Sequence, residues 1–219
     1  MRRARWALED VTWYARRRGV VRTARRIARI CLDFMSSRIH SHSVTVVHCA
    51  DLQSWPDYAG EDWLTIRTAE PADLAALAER VPPSAMRLFR ARLAEGQIMF
   101  VALVGGEIAG YAWMCTQPDA WAPQDHGLRL QPGEGLHWDS VTFEEFRVRG
   151  IYTALQRFSR AHMKAKGYQR VYGGADTRNP APLRMMKTLA LKPVHLYCER
   201  RILGRKRAWV EPIPADFKV

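Results

Sequence analysis

The sequence predicts an α/β (α+β) chain, a mixed sheet with helices on both faces, preceded by a basic helical extension. Three observations predict it. The 219 residues are nearly half hydrophobic, enough to bury a substantial core. From Trp63 onward, short alternating apolar runs interleave with runs of helical period, the pattern of a sheet covered by helices. Charge is also uneven: residues 1–40 hold eleven arginines against Glu9, Asp10 and Asp33, which is +8 of the total +12. A basic arm therefore precedes a mildly basic body.

Residues 1–40 read as helix in two pieces divided near Gly19, the second with Val20, Ala24, Ile27, Cys31 and Phe34 at three- and four-residue spacing. The extension is assigned to 1–45 and a connector to 46–62, with one short strand around Val44–His48. Trp63–Arg67 alternates as a strand, Pro71 opens a helix with Asp73 in its first turn, and a second helix runs from Pro83 to Glu95. Gln97–Val104 and Glu107–Thr116 form a hairpin around Gly105-Gly106. A loop over 117–135 precedes a strand at Leu136–Phe143. Gly150–Lys166 is a helix stopped by Gly167, followed by a strand at Gln169–Ala175, a helix at Pro180–Leu189 and a strand at His195–Ile202. The body spans 63–203, and 204–219 is a tail.

Composition narrows the chemistry. Cys31, Cys49, Cys115 and Cys198 are far apart and form no CxxC pair, so neither disulfides nor a zinc site is expected. The seven histidines lack metal-ligand spacing, so no metal is expected. No apolar run approaches the ~18 residues that span a bilayer. No secretory signal pattern is present either, and a reducing cytoplasm fits best.

The informative stretch is Arg147-Val148-Arg149-Gly150-Ile151-Tyr152, between a strand and a long helix. Such a loop joins unpaired backbone N–H groups, the positive end of a helix dipole and two guanidinium groups, which suits a pyrophosphate. The same residues also fit a plain strand-to-helix turn. This stretch resembles the cofactor loop of the GNAT superfamily of N-acetyltransferases, Gln/Arg-x-x-Gly-x-Gly/Ala, with Tyr152 at the final small position. Asn179 opening a helix that ends in Leu189-Ala190-Leu191 is similar to the family's Asn-led helix ending in Leu-Gly-Phe. The Gly105–Tyr111 hairpin and the Leu64–Arg67 strand resemble two further family elements, in the expected order over about 63–203.

The resemblance implies a mostly antiparallel GNAT sheet and an acyl-CoA co-substrate, most simply acetyl-CoA. It also implies direct attack of an amine on the thioester in a ternary complex. Backbone N–H groups of Val141, Thr142 and Phe143 would meet the pantetheine arm, and Arg147–Tyr152 with Asn179 would hold the rest of the cofactor. Met186 stands where many members carry a general-acid tyrosine, so the proton donor would be Tyr172, Tyr197 or water. Strand alternation puts His137, Asp139 and Val141 on one face and Trp138, Ser140 and Thr142 on the other. Asp139, His137 and then Glu134 are the candidate bases, against the reading that they only bond one another or nearby loops.

The acceptor implied is the amine of a small molecule or sugar. Two other readings stay open. One is a longer-chain acyltransferase served by acyl-CoA or an acyl-carrier protein at a membrane surface. The other is a non-catalytic GNAT-fold binding module. The arm itself fits packing on the body or in a homodimer, or an amphipathic membrane-surface helix; it has no nucleic-acid reading motif.

Overall fold

The computed structural model describes residues 2–217, with side chains for all of these except 2–8, 18, 30 and 33–39. The chain divides into two compact units. The first comprises Met1–His42, Glu70–Glu95 and Arg200–Arg207; the second comprises Ser43–Ala69, Gly96–Glu199 and Ala208–Val219.

In the first unit, α1 (Arg2–Arg18) and α2 (Val20–Ile39) are separated at Gly19, whose φ of 81° interrupts the helix. Thr23 Oγ1 donates to Gly19 O at 2.9 Å at the start of α2. α3 (Pro71–Ala78) and α4 (Pro83–Ala94) complete the unit. Asp73, in the first turn of α3, accepts the Glu70 N–H at 2.7 Å in a capping box. α1 docks on α4 through its acids: Asp10 accepts the Ser84 N–H at 3.0 Å, and Glu9 pairs with Arg87 at 2.8 Å.

The second unit carries most of the sheet, which is built of β1 (His40–Asp51), β2 (Thr65–Thr68), β3 (Ile98–Val104), β4 (Glu107–Cys115), β5 (Glu134–Thr142), β6 (Arg170–Asp176), β7 (Lys192–Ile202) and β8 (Arg205–Pro212); only the start of β1, the end of β7 and the start of β8 belong to the first. Their order is β2-β3-β4-β5-β6-β1-β7-β8, mostly antiparallel, with β5 and β6 parallel. The β3–β4 turn uses Gly105 and Gly106 at φ 57° and 83°, the primed geometry that a two-residue hairpin requires. α6 (Ile151–Ala165) lies against β3, β4 and β5, and α7 (Pro180–Thr188) against β6. Ile151, Leu155 and Met163 of α6 share one core with Phe100, Ala112, Met114, Val171 and Met186. A smaller cluster of Cys115, Ala122, Leu130 and Leu136 holds the loop after β4, which contains the short helix α5 (Trp121–Gln124).

Two expected boundaries change. The connector is in part strand: β1 runs for twelve residues and pairs Thr45–Asp51 with Asp176–Arg170. Its polar positions (Ser41, Ser43, Thr45, His48) disguise the apolar face of Val46 and Ala50. The tail contains β8, an edge strand whose Arg205-Lys206-Arg207 leaves no apolar alternation to read; edge strands tolerate and use such charge.

Candidate functional site

β5 carries one residue too many for its partner. Tyr111 pairs with Val141 and Trp113 with Trp138, so two steps on β4 oppose three on β5. The extra residue lies at Asp139, with φ 45°, a β-bulge. It overturns the alternation expected from the sequence. Trp138 and Val141 share a face with Tyr111 and Trp113, while His137 and Ser140 share the opposite face, toward α6. Asp139 itself is exposed.

Beyond the bulge, β5 leaves β6. The parallel ladder joins only Glu134–His137 to Arg170–Gly173, while β1 pairs along the whole other edge of β6, so past Gly173 the edge of β6 that faces β5 carries no ladder. A V-shaped gap therefore opens along Trp138–Thr142. Phe143 N–H is committed to Ala109 O at 2.9 Å, so of the three expected backbone donors Phe143 faces β4. Successive peptide groups point to opposite edges of a strand, which turns Thr142 toward the gap. Arg147 Nε reaches the Thr142 carbonyl there at 3.5 Å.

The loop into α6 holds two left-handed residues, Val148 at φ 64° and Gly150 at φ 80°, on either side of Arg149. Val148 is fully exposed, and a Cβ built on Gly150 meets nothing within 4 Å. The helix starts without a side-chain cap or a first-turn acid; Ala154 N–H to Gly150 O, at 3.0 Å, is its first bond. The N–H groups of Ile151, Tyr152 and Thr153 thus have no helical acceptor. A cavity of about 260 Å³ lies at this end, lined by Arg149, Gly150, Thr153, Arg157, Tyr58 and Trp63. A second, of about 420 Å³, continues past Trp55 and Arg157 to Leu189 and Ala190. Tyr152 does not crowd the loop: its ring packs on the core cluster.

Beneath the gap, α6 turns a polar stripe inward. Gln156 and Arg160 are buried, as are His137 of β5 and His48 of β1. Gln156 Nε2 donates to His137 Nδ1 at 3.0 Å and to Ser140 Oγ at 3.4 Å, and Arg160 Nη1 donates to Gln156 O at 3.1 Å and to Gln156 Oε1. Burial, then the nearby Arg160 charge, holds both histidines well below the ordinary 6.5. His48 lies over Gly173, where a Cβ would come within 2.5 Å of its ring. None of His48, Gln156, Arg160 or Gly173 was a sequence candidate, although the polar spacing Tyr152, Gln156, Arg160 along α6 was visible.

The remaining candidates are engaged elsewhere. Glu134 accepts from Gln131 N–H at 2.9 Å and from the Tyr172 hydroxyl at 3.2 Å, and pairs with Arg170 at 2.9 Å, all at the closed end of β5 and β6. Burial in the main and the facing Cys49 and Glu134 push Tyr172 to about 12, a poor proton donor. Met186 is buried in the core. Asn179 caps α7 through Ala181 N–H at 3.2 Å. The opposite face of the gap is aromatic, with Trp121 edge-on to Trp138 at 4.8 Å and Tyr111 to Phe143 at 6.2 Å. Among the described residues no helix is long and apolar enough to cross a membrane, and no group of His, Cys, Asp and Glu could hold a metal.

The acetyltransferase (GNAT) family model matches residues 60–190. Among solved structures, a GCN5-related N-acetyltransferase from Sphaerobacter thermophilus is similar at TM-score 0.54 and 20% identity, covering 80% of this chain and 56% of that one. A GNAT-family protein from Novosphingobium aromaticivorans gives 0.51 at 14% identity, covering 80% and 66%. A glucosamine N-acetyltransferase region of a fungal β-N-acetylglucosaminidase gives 0.56 at 16% identity, covering 78% of this chain and 22% of that enzyme. The chain thus spans little more than half of the Sphaerobacter protein. No curated protein matches it.

Proposed function

This chain belongs to the GNAT acetyltransferase family, and from that premise we propose that it transfers an acyl group from an acyl-CoA to the amine of a small molecule. One observation carries the reading: the bulge-opened gap beside β5 leads straight to an uncapped, arginine-flanked helix N-terminus. The open space over Gly150 and the three helix N–H groups without helical acceptors fit a pyrophosphate. Arg147 and Arg149 add charge, and the neighbouring cavities have room for the nucleotide end.

When bound, the acyl-CoA supplies an activated thioester. The chain's own residues do the rest. The peptide group of Thr142, turned to the gap, orients the pantetheine arm and polarises the carbonyl. Trp138 and Trp121 offer an apolar wall to the acceptor. The acceptor amine, with a pKa near ~10, must lose a proton before attack, and Asp139 on the bulge is the group that takes it, directly or through water. His137 does not serve as base: its Nδ1 receives the Gln156 amide, and the proton then rests on Nε2. Sulfur leaves as thiolate and takes a proton from the adduct or from water, since Met186 and Tyr172 are not available.

Calorimetric titration with free CoA and acetyl-CoA tests the site. Micromolar binding is expected, lost in the double variant Arg149→Glu/Gly150→Glu, while Asp139→Asn leaves binding intact and slows transfer to a panel of primary amines. Unchanged binding in the double variant would remove the pyrophosphate assignment. Binding with no transfer to any amine would favour the non-catalytic reading.

A further inference from the structure

Arg160 is wholly buried, yet no carboxylate among the described residues is paired with it. One of its terminal nitrogens bonds Gln156, while Nε and Nη2 have no partner. A buried guanidinium with no anion beside it is among the costlier arrangements a core can hold, and a ring face attracts its charge without meeting its free N–H groups. Around the guanidinium stand the Trp55 ring, 5.5 Å away, the Tyr152 hydroxyl and the Cys49 thiol, the last two kept neutral by burial, so none of them is an anion. His137 carries its proton on Nε2, and that N–H is also without a partner. His48 Nδ1 is a further buried ring nitrogen with none. The unmet groups on Arg160 and His137 are all donors, and a set of unmet donors is the complement of a carboxylate.

Its place in the fold says which carboxylate. Gln156 touches Ser140 on the bulge, the point at which the thioester carbonyl would lie. Arg160 is one helical turn further along α6, about 5 Å beyond it, and about 15 Å from the Gly150 loop that would anchor the pyrophosphate. α6 runs from the open end of the gap toward its closed end, the same direction as a pantetheine arm and the acyl group at its tip. Gly173 is what lets the His48 ring lie at this end, since a Cβ there would come within 2.5 Å of it.

We propose that the donor acyl group ends in a carboxylate held by Arg160, so that the co-substrate is a short dicarboxylic monothioester of the malonyl, succinyl or glutaryl type rather than acetyl-CoA. This rests on the acyl-CoA reading above. The bond changes are those of any thioester aminolysis. The amine forms the C–N bond, the C–S bond breaks, the amine proton leaves and sulfur gains one. The distal carboxylate and Arg160 remain charged throughout.

Titration of the wild-type protein with free CoA, succinyl-CoA and butyryl-CoA, the last of similar length but uncharged at its end, tests it. Succinyl-CoA is expected to bind at least tenfold more tightly than butyryl-CoA, as one charged hydrogen-bonding pair would give. Arg160→Met should erase that preference and leave free CoA binding unchanged. Equal or inverted affinities in the wild-type protein would overturn the proposal while leaving the CoA site standing. Loss of free CoA binding in Arg160→Met would assign Arg160 to the fold rather than to the donor, and would also overturn it. Failure of free CoA to bind the wild-type protein would overturn the acyltransferase reading itself.

Discussion

Ala190 ends α7 in a conformation that suits glycine. Its φ is 49°, and the bonds Leu191 N to Met186 O and Ala190 N to Lys187 O, at 2.9 and 3.1 Å, complete a Schellman motif. The residue is exposed, so its methyl group contributes little packing. Ala190→Gly is expected to raise stability by about 1 kcal/mol, from relief of left-handed strain less the added chain entropy. A lowered midpoint in urea unfolding would contradict this. Val148 shows the same strain beside the proposed pyrophosphate site, and there it shapes the loop into α6. At this scale the sequence was partly legible. Gly150 and the Gly105-Gly106 pair announce their backbone angles; Val148, Ala190 and Asp139 adopt left-handed angles that their residue types disfavour.

At the scale of elements, the bulge in β5 and the polar stripe on α6 decide the site together. Neither was readable, for physical reasons. Leu136–Phe143 alternates well enough for a regular strand, and the inserted residue is an aspartate rather than a glycine. Tyr152, Gln156 and Arg160 lie four apart, a visible spacing whose burial the sequence does not reveal, because the groups that meet the stripe stand on β1 and β5, far away in sequence. The layer that they form has a pH signature. His48 and His137 titrate below 6.5 when folded and near 6.5 when unfolded, so the unfolded chain binds protons first. Their contribution is full above pH 6.5 and is lost as pH falls below it, by about 1.4 kcal/mol per pH unit for each histidine. Urea unfolding at pH 5.5 and 7.5 should show that loss, and His48→Gln or His137→Gln should each remove one share of the slope. An unaltered slope in both variants would dissociate these rings from the effect.

For the whole molecule, the family match begins at residue 60, yet the sheet does not. β1 stands between β6 and β7 and contributes Val46 and Ala50 to the core and His48 to the buried polar layer. A fragment starting at residue 60 leaves β6 and β7 each with an unpaired edge and is expected to be insoluble or molten, whereas one starting at residue 40 keeps every strand. A soluble fragment from residue 60 with a sharp unfolding transition would show that the sheet can close without β1. The basic arm was legible as charge and as helix, but its use of Glu9 and Asp10 against α4 was not, since two acids among eleven arginines look incidental.

The position of β1 also sets an order of events during synthesis. Its residues leave the ribosome early, while both neighbouring strands, Arg170–Asp176 and Lys192–Ile202, are made more than a hundred residues later. At ~5–20 residues per second the strand waits roughly 8–30 s for its slot to exist. The sheet therefore cannot close progressively from the N-terminus, and its slowest pairing is one of the most non-local in the chain. Through that interval β1 offers Val44, Val46 and Val47 to whatever meets it first.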